Sequence, residues 1–159
     1  MAPASPTPDR DPNKAKSVLI LNGPNLNMLG VREPTIYGKE SLQDLMTMAA
    51  RRATELGLMT DARHSNHEGD LVTWIQQART EHNGIIINPA GYTTTSIAIL
   101  DALLLSELPV VEIHLSNIHK REEFRHRSYI SKAAQGVICG FGGYGYVMAV
   151  EAMARILKA

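Results

Sequence analysis

Glu112 and His114 stand two residues apart in the segment VEIHLSN, residues 111 to 117. In an extended strand they share one face, while Val111, Ile113 and Leu115 take the other. A carboxylate beside an imidazole fixes its tautomer and orients it as a general acid. The same pair also suits a purely structural hydrogen bond. A second chemical pair lies in NGPNLNMLGVREPTIYG, residues 22 to 38, which carries Arg32 and Tyr37. A phenol with a pKa of about 10 is a poor base at neutral pH. A guanidinium beside it favours the phenolate, and each unit of depression corresponds to about 1.4 kcal/mol. Asn22, Gly23 and Pro24 in that loop equally suit an ordinary turn.

Other stretches are less specific. The run HKREEFRHRSY, residues 119 to 129, reads mainly as a solvated face. A zinc site from His114, His119 and His126 would match no regular ligand spacing. Gly140-Phe141-Gly142-Gly143-Tyr144-Gly145 satisfies G-x-G-x-x-G and leaves a nucleotide- or flavin-binding module as a rival reading. A dinucleotide site also wants an acidic residue about 20 positions further on, at the end of another strand, and no such strand follows. Close strand-to-helix packing accounts equally well for these glycines.

Positioning such groups requires a sheet, and the hydrophobic pattern supplies one. Val18 to Leu21 is a continuous apolar run, as in a strand buried on both faces. Ser41 begins a helix with Asp44 as a weak capping box, a stripe through Leu42, Leu45, Met46, Ala49, Ala53 and Leu56, and Gly57 at its end. The alternation continues with a strand at 58–63 and a helix at 68–82, with Leu71, Trp74, Ile75 and Ala78 inward. A strand at 85–88 precedes a helix from about Thr94 to Glu107. A strand at 109–115 and a polar stretch through Ser131 follow, then a strand at 137–141 and a helix at 146–157. The pattern predicts an α/β fold: a five-stranded parallel sheet with helices on both faces and right-handed crossovers. Ligands of such sheets bind beyond the carboxyl ends of the strands, where both chemical pairs would fall.

The 159 residues suit a single domain spanning 17–159. Sixteen basic side chains balance sixteen acidic ones, which argues against nucleic acid or an anionic membrane as the main partner. No segment approaches the ~18 apolar residues of a membrane span. Residues 1–16, MAPASPTPDRDPNKAK, lack a signal peptide's apolar stretch and read as a disordered tail. The single Cys139, in an apolar run, reads as a buried thiol in a reducing, cytoplasmic compartment.

Five blocks together resemble the type II 3-dehydroquinate dehydratases: NGPNLNMLGVREPTIYG, SNHEG (65–69), NPAGYTTTS (88–96), VEIHLSN and REEFRHRSYIS (121–131). The likeness runs from about Val18 to the C-terminus. It implies a flavodoxin-like fold, a homo-dodecamer built from trimers, 3-dehydroquinate as substrate, and no cofactor or metal. It assigns Tyr37 as the base, with Arg32 holding its phenolate, and Asn25 as the holder of a water at the enolate. His114 becomes the acid, oriented by Glu112. Asn88, Ser116, the backbone amide of Leu115, Arg125 and Asp101 of a neighbouring subunit would bind substrate. The family usually has histidine where this chain has Thr94, a substrate-binding position, and often arginine where it has Leu100. The first departure implies weaker binding, a lower rate or an impaired site; the second implies an altered contact around Asp101.

Overall fold

The computed structural model describes residues 11–31, 35 and 39–159. Residues 1–10 of the expected tail, and Arg32 and Tyr37, lie outside the described residues. Five strands form one parallel sheet: β1 (Lys16–Asn22), β2 (Leu58–His64), β3 (Gly84–Asn88), β4 (Val110–His114) and β5 (Gly136–Cys139), in the order β2-β1-β3-β4-β5. The helices between them are α1 (Leu42–Glu55), α2 (Glu68–Glu81) and α3 (Ile97–Ser106), and α4 (Tyr144–Leu157) follows β5.

Side chains alternate along each strand, so the two faces hold separate cores. Val18, Ile20, Val111 and Ile113 meet α1 and α4 on one face. Leu19, Leu21, Ile85 and Ile87 meet α2 and α3 on the other. Glu112 and His114 share the second face, as the two-residue period requires. The capping box at α1 is complete: Ser41 Oγ accepts from the Asp44 amide, and the Asp44 carboxylate accepts from the Ser41 amide.

Four expectations are corrected. The helix expected from Thr94 begins at Ile97, because Ser96 caps it by accepting from the Ile99 amide. Thr94 instead ends a short 3-10 turn, Ala90–Thr94. Trp74 is only half-buried, and the Arg63 guanidinium lies 5.6 Å from its ring centre. The last strand is an edge strand with Gly136 and Val137 exposed, which leaves Cys139 half-buried rather than enclosed. The first strand begins at Lys16, whose ammonium donates to the Leu157 carbonyl at the other end of the chain.

At the amino-terminal end of the sheet, buried His82 has Nδ1 2.8 Å from Ser17 Oγ and Nε2 3.4 Å from Asp61 Oδ2. Burial pushes its pKa below the ordinary imidazole value and outweighs the attraction of Asp61. Burial pushes His64 down as well. An unfolded histidine titrates near pH ~6.5, so the unfolded chain binds more protons between the depressed folded values and that pH. Stability from these groups is therefore complete above about pH 6.5 and declines as pH falls through that window. Melting curves are expected to shift to lower temperature from about pH 7 to about pH 5.5. His82→Asn should flatten part of that decline, and an unchanged slope in the variant would remove His82 from the explanation.

Candidate active site

A cavity of about 230 Å³ opens beyond the carboxyl ends of β1, β3 and β4. It lies where the strand order reverses around β1 and β3, the usual ligand position in an open parallel sheet. Its wall gathers most of the expected residues. Asn25 comes from the β1 loop, Asn88 from the end of β3, Thr94 from the loop after it, and His114, Leu115, Ser116 and Arg125 from β4 and beyond. Asp101 is exposed on α3 and does not line this cavity. Leu100 beside it is buried in the second core. Segment 65–69 lies behind the wall: Asn66 Oδ1 accepts from the Asn25 amide at 2.9 Å, and its carbonyl accepts from the Tyr92 hydroxyl at 2.8 Å. Asn25 itself adopts a left-handed backbone, φ 71°, so the side-chain bond from Asn66 fixes an otherwise unfavourable turn.

Glu112 is fully buried, and its carboxylate is met by three donors. His114 Nε2–H donates to Oε2 at 2.9 Å, Ser131 Oγ to Oε2 at 2.9 Å, and Ser128 Oγ to Oε1 at 2.7 Å. An unpaired carboxylate here would cost several kcal/mol, roughly. With Nε2 engaged by Glu112, the imidazole has Nδ1 left for the cavity it lines. That arrangement is a tautomer-fixed acid-base group on a rigid strand, held by a carboxylate that does not itself line the cavity. Ser128 and Ser131 were not singled out from the sequence, since nothing local to SYIS indicates a partner sixteen and nineteen residues away.

The two arginines of the wall stand on the turns after β4. Arg125 donates from Nε to Glu122 at 2.9 Å and lies 5.0 Å from the Phe124 ring centre. Arg121 also lines the cavity and donates to Ser116 Oγ at 3.4 Å. The glycine-rich loop takes no part in the wall. A Cβ on Gly143 would fall 2.2 Å from Leu45 Cδ2, and one on Gly145 3.1 Å from Ile113 Cδ1, so these glycines let α4 approach α1 and β4. Among the described residues no three histidine, cysteine, aspartate or glutamate side chains converge as a metal site. None of the helices among the described residues is long and apolar enough to cross a membrane.

Fold and site together define a parallel α/β enzyme with a carboxylate-held histidine at the carboxyl edge of its sheet. Residues 16–154 match the family model described as dehydroquinase class II. The chain is 56% identical over 141 residues to 3-dehydroquinate dehydratase 2 of Pseudomonas putida, covering 89% of this chain and 95% of that protein. It is 54% identical over 143 residues to a 3-dehydroquinate dehydratase of Brucella canis, covering 90% and 91%. The crystal structure of type II dehydroquinase from Propionibacterium acnes superposes with a TM-score of 0.83 at 43% identity, covering 88% of this chain and 97% of that one. This chain belongs to the class II dehydroquinase family.

Because both serines serve the Glu112 carboxylate, removing them is expected to be costly well beyond a surface change. Ser128→Ala and Ser131→Ala should each lower unfolding free energy by roughly 1.5–3 kcal/mol, the range for hydrogen bonds to charged groups. Urea denaturation reads this as a lowered midpoint; midpoints within error of the parent would mean that Glu112 does not depend on them.

Proposed function

We propose that the chain dehydrates 3-dehydroquinate to 3-dehydroshikimate by anti elimination through an enolate, in aromatic biosynthesis or quinate breakdown. The observation that carries this reading is the buried Glu112–His114 pair opening into the cavity, in a chain of this family. Tyr37, as phenolate beside Arg32, takes the proton from the carbon next to the ketone. The electron pair moves onto the ketone oxygen, and a water held by Asn25 stabilises the enolate. Collapse of the enolate breaks the carbon–oxygen bond, and His114 delivers a proton to the departing hydroxyl, which leaves as water. Asn88 binds near that hydroxyl, Ser116 and the Leu115 amide hold the carboxylate, and Arg125 meets a ring hydroxyl. Thr94, half-buried in the wall, is shorter than histidine and reaches its ring hydroxyl through a water at best. No step calls for a metal or a cofactor.

The working form in this reading is a cytoplasmic homo-dodecamer built from trimers, with Asp101 entering the site of a neighbour. Exposed Ile97, Leu104 and Leu105 on α3, the helix that carries Asp101, support it. Contiguous exposed apolar side chains favour burial against another chain. Leu105→Glu should break the assembly in light scattering and lower activity with it; a smaller species with full activity would separate assembly from catalysis.

The test of the reaction is an ultraviolet assay for the conjugated enone product, with 3-dehydroquinate and a chelator present. Wild type should form product. Tyr37→Phe and His114→Ala should each lose about 10²–10⁴-fold in kcat. Thr94→His should lower KM, since one hydrogen bond is worth on the order of 1–3 kcal/mol. A folded, assembled and silent wild type would defeat the reading, and recovery in Thr94→His would then mark Thr94 as the cause.

A further inference from the structure

Tyr146 is the one large aromatic side chain fully buried among the described residues, and its hydroxyl lies where β1 and β3 end. The final residues of those strands, Asn22 and Asn88, are register partners, and both are buried. The Tyr146 hydroxyl donates to Asn22 Oδ1 at 2.5 Å and accepts from Asn88 Nδ2 at 3.2 Å. Asn22 cannot easily reverse its own amide, because its Nδ2 already faces the Arg63 carbonyl at 3.3 Å and Met46 Sδ at 3.4 Å. Burial pushes the Tyr146 phenol well above its ordinary pKa, so the hydroxyl keeps its proton.

These polarities propagate in one direction. Asn22 presents an acceptor, so the tyrosine proton points to it and only a lone pair faces Asn88. That lone pair requires an N–H from Asn88. On the other side, Asn88 Oδ1 accepts from the Ala90 amide at 3.2 Å. A side-chain amide carries two N–H donors. One is taken by Tyr146, and Asn88 itself lines the cavity.

We propose that Tyr146 is a positioning residue that, together with Asn22, fixes the amide of Asn88 so that Asn88 meets the substrate as a hydrogen-bond donor. This inference rests on the dehydratase reading, in which Asn88 lies beside the departing hydroxyl. A donor there serves an oxygen that gains electron density as its bond to carbon breaks. The reversed amide would offer a carbonyl oxygen to that same atom and oppose the charge. A fixed amide also avoids reorientation during the reaction.

Tyr146→Phe keeps the ring in its pocket and deletes only the hydroxyl. In the enone assay it should lower kcat about 10-fold, with a smaller change in KM, because a fixed amide matters most as the bond breaks. The same substitution on an Asn88→Ala background should change kcat less than about 3-fold, since Tyr146 then has nothing to orient. Equal losses on both backgrounds, or no loss on the first, would overturn the proposal. A neutron structure of the unmutated protein reads the amide directly and needs neither variant to fold. Deuterium on the Asn88 atom facing Tyr146 is expected, and a carbonyl oxygen there sinks the idea. A wild type without dehydratase activity that still shows the expected amide would fail the reaction and leave the orientation intact.

Discussion

The arrangement of this molecule turns on a carboxylate placed inside a hydrophobic sheet. Glu112 sits on the face shared by Ile85, Ile87 and Val110, where a charge without partners would be several kcal/mol unfavourable, roughly. Donors must therefore be brought to it, and β4 supplies only His114. The others come from residues 128 and 131, so the chain after β4 folds back over the sheet on its way to β5. Ile130, between the two serines, is fully buried in the same core and secures that return apolarly. The Tyr129 amide donates to the Thr93 carbonyl at 3.0 Å, which links the returning segment to the β3 loop. Satisfying one buried carboxylate thus closes one wall of the cavity.

Much of this was legible in the sequence, for local reasons. The apolar runs of β1, β3 and β4 are buried on both faces, and period-two alternation put Glu112 and His114 together without any knowledge of neighbours. Ser41, Asp44 and Gly57 marked the ends of α1 because caps are determined within a few residues. What failed was nonlocal or depended on sheet order. Val137 and Cys139 look like a core strand by composition, but β5 is at the edge. Ser96, not Thr94, begins α3, because several consecutive hydroxyl residues offered competing caps. Tyr146 reads as an ordinary core aromatic on a helix, and only the folded chain shows two strand ends on its hydroxyl.

The sheet and the root of the loop after β1 position the groups that the proposed mechanism uses. An anti elimination needs acid and base on opposite sides of the substrate ring. His114, the acid in the proposed mechanism, is fixed by backbone ladders and by Glu112 on an interior strand. In the proposed mechanism the base stands on the loop after β1. The root here is unusually constrained: the Gly23 amide donates to the Asn88 carbonyl at 2.8 Å, and a Cβ on Gly23 would fall 2.5 Å from the Pro89 carbonyl oxygen. No side chain fits at that crossing without moving backbone. Leu26 and Leu29, both buried in the first core, anchor the next turn. The root of the loop is thereby tied to the strand ends that carry Asn22 and Asn88. Asn22, Asn88 and His114 all end hydrogen-bonded strands, so the groups that the proposed mechanism needs fixed belong to the sheet.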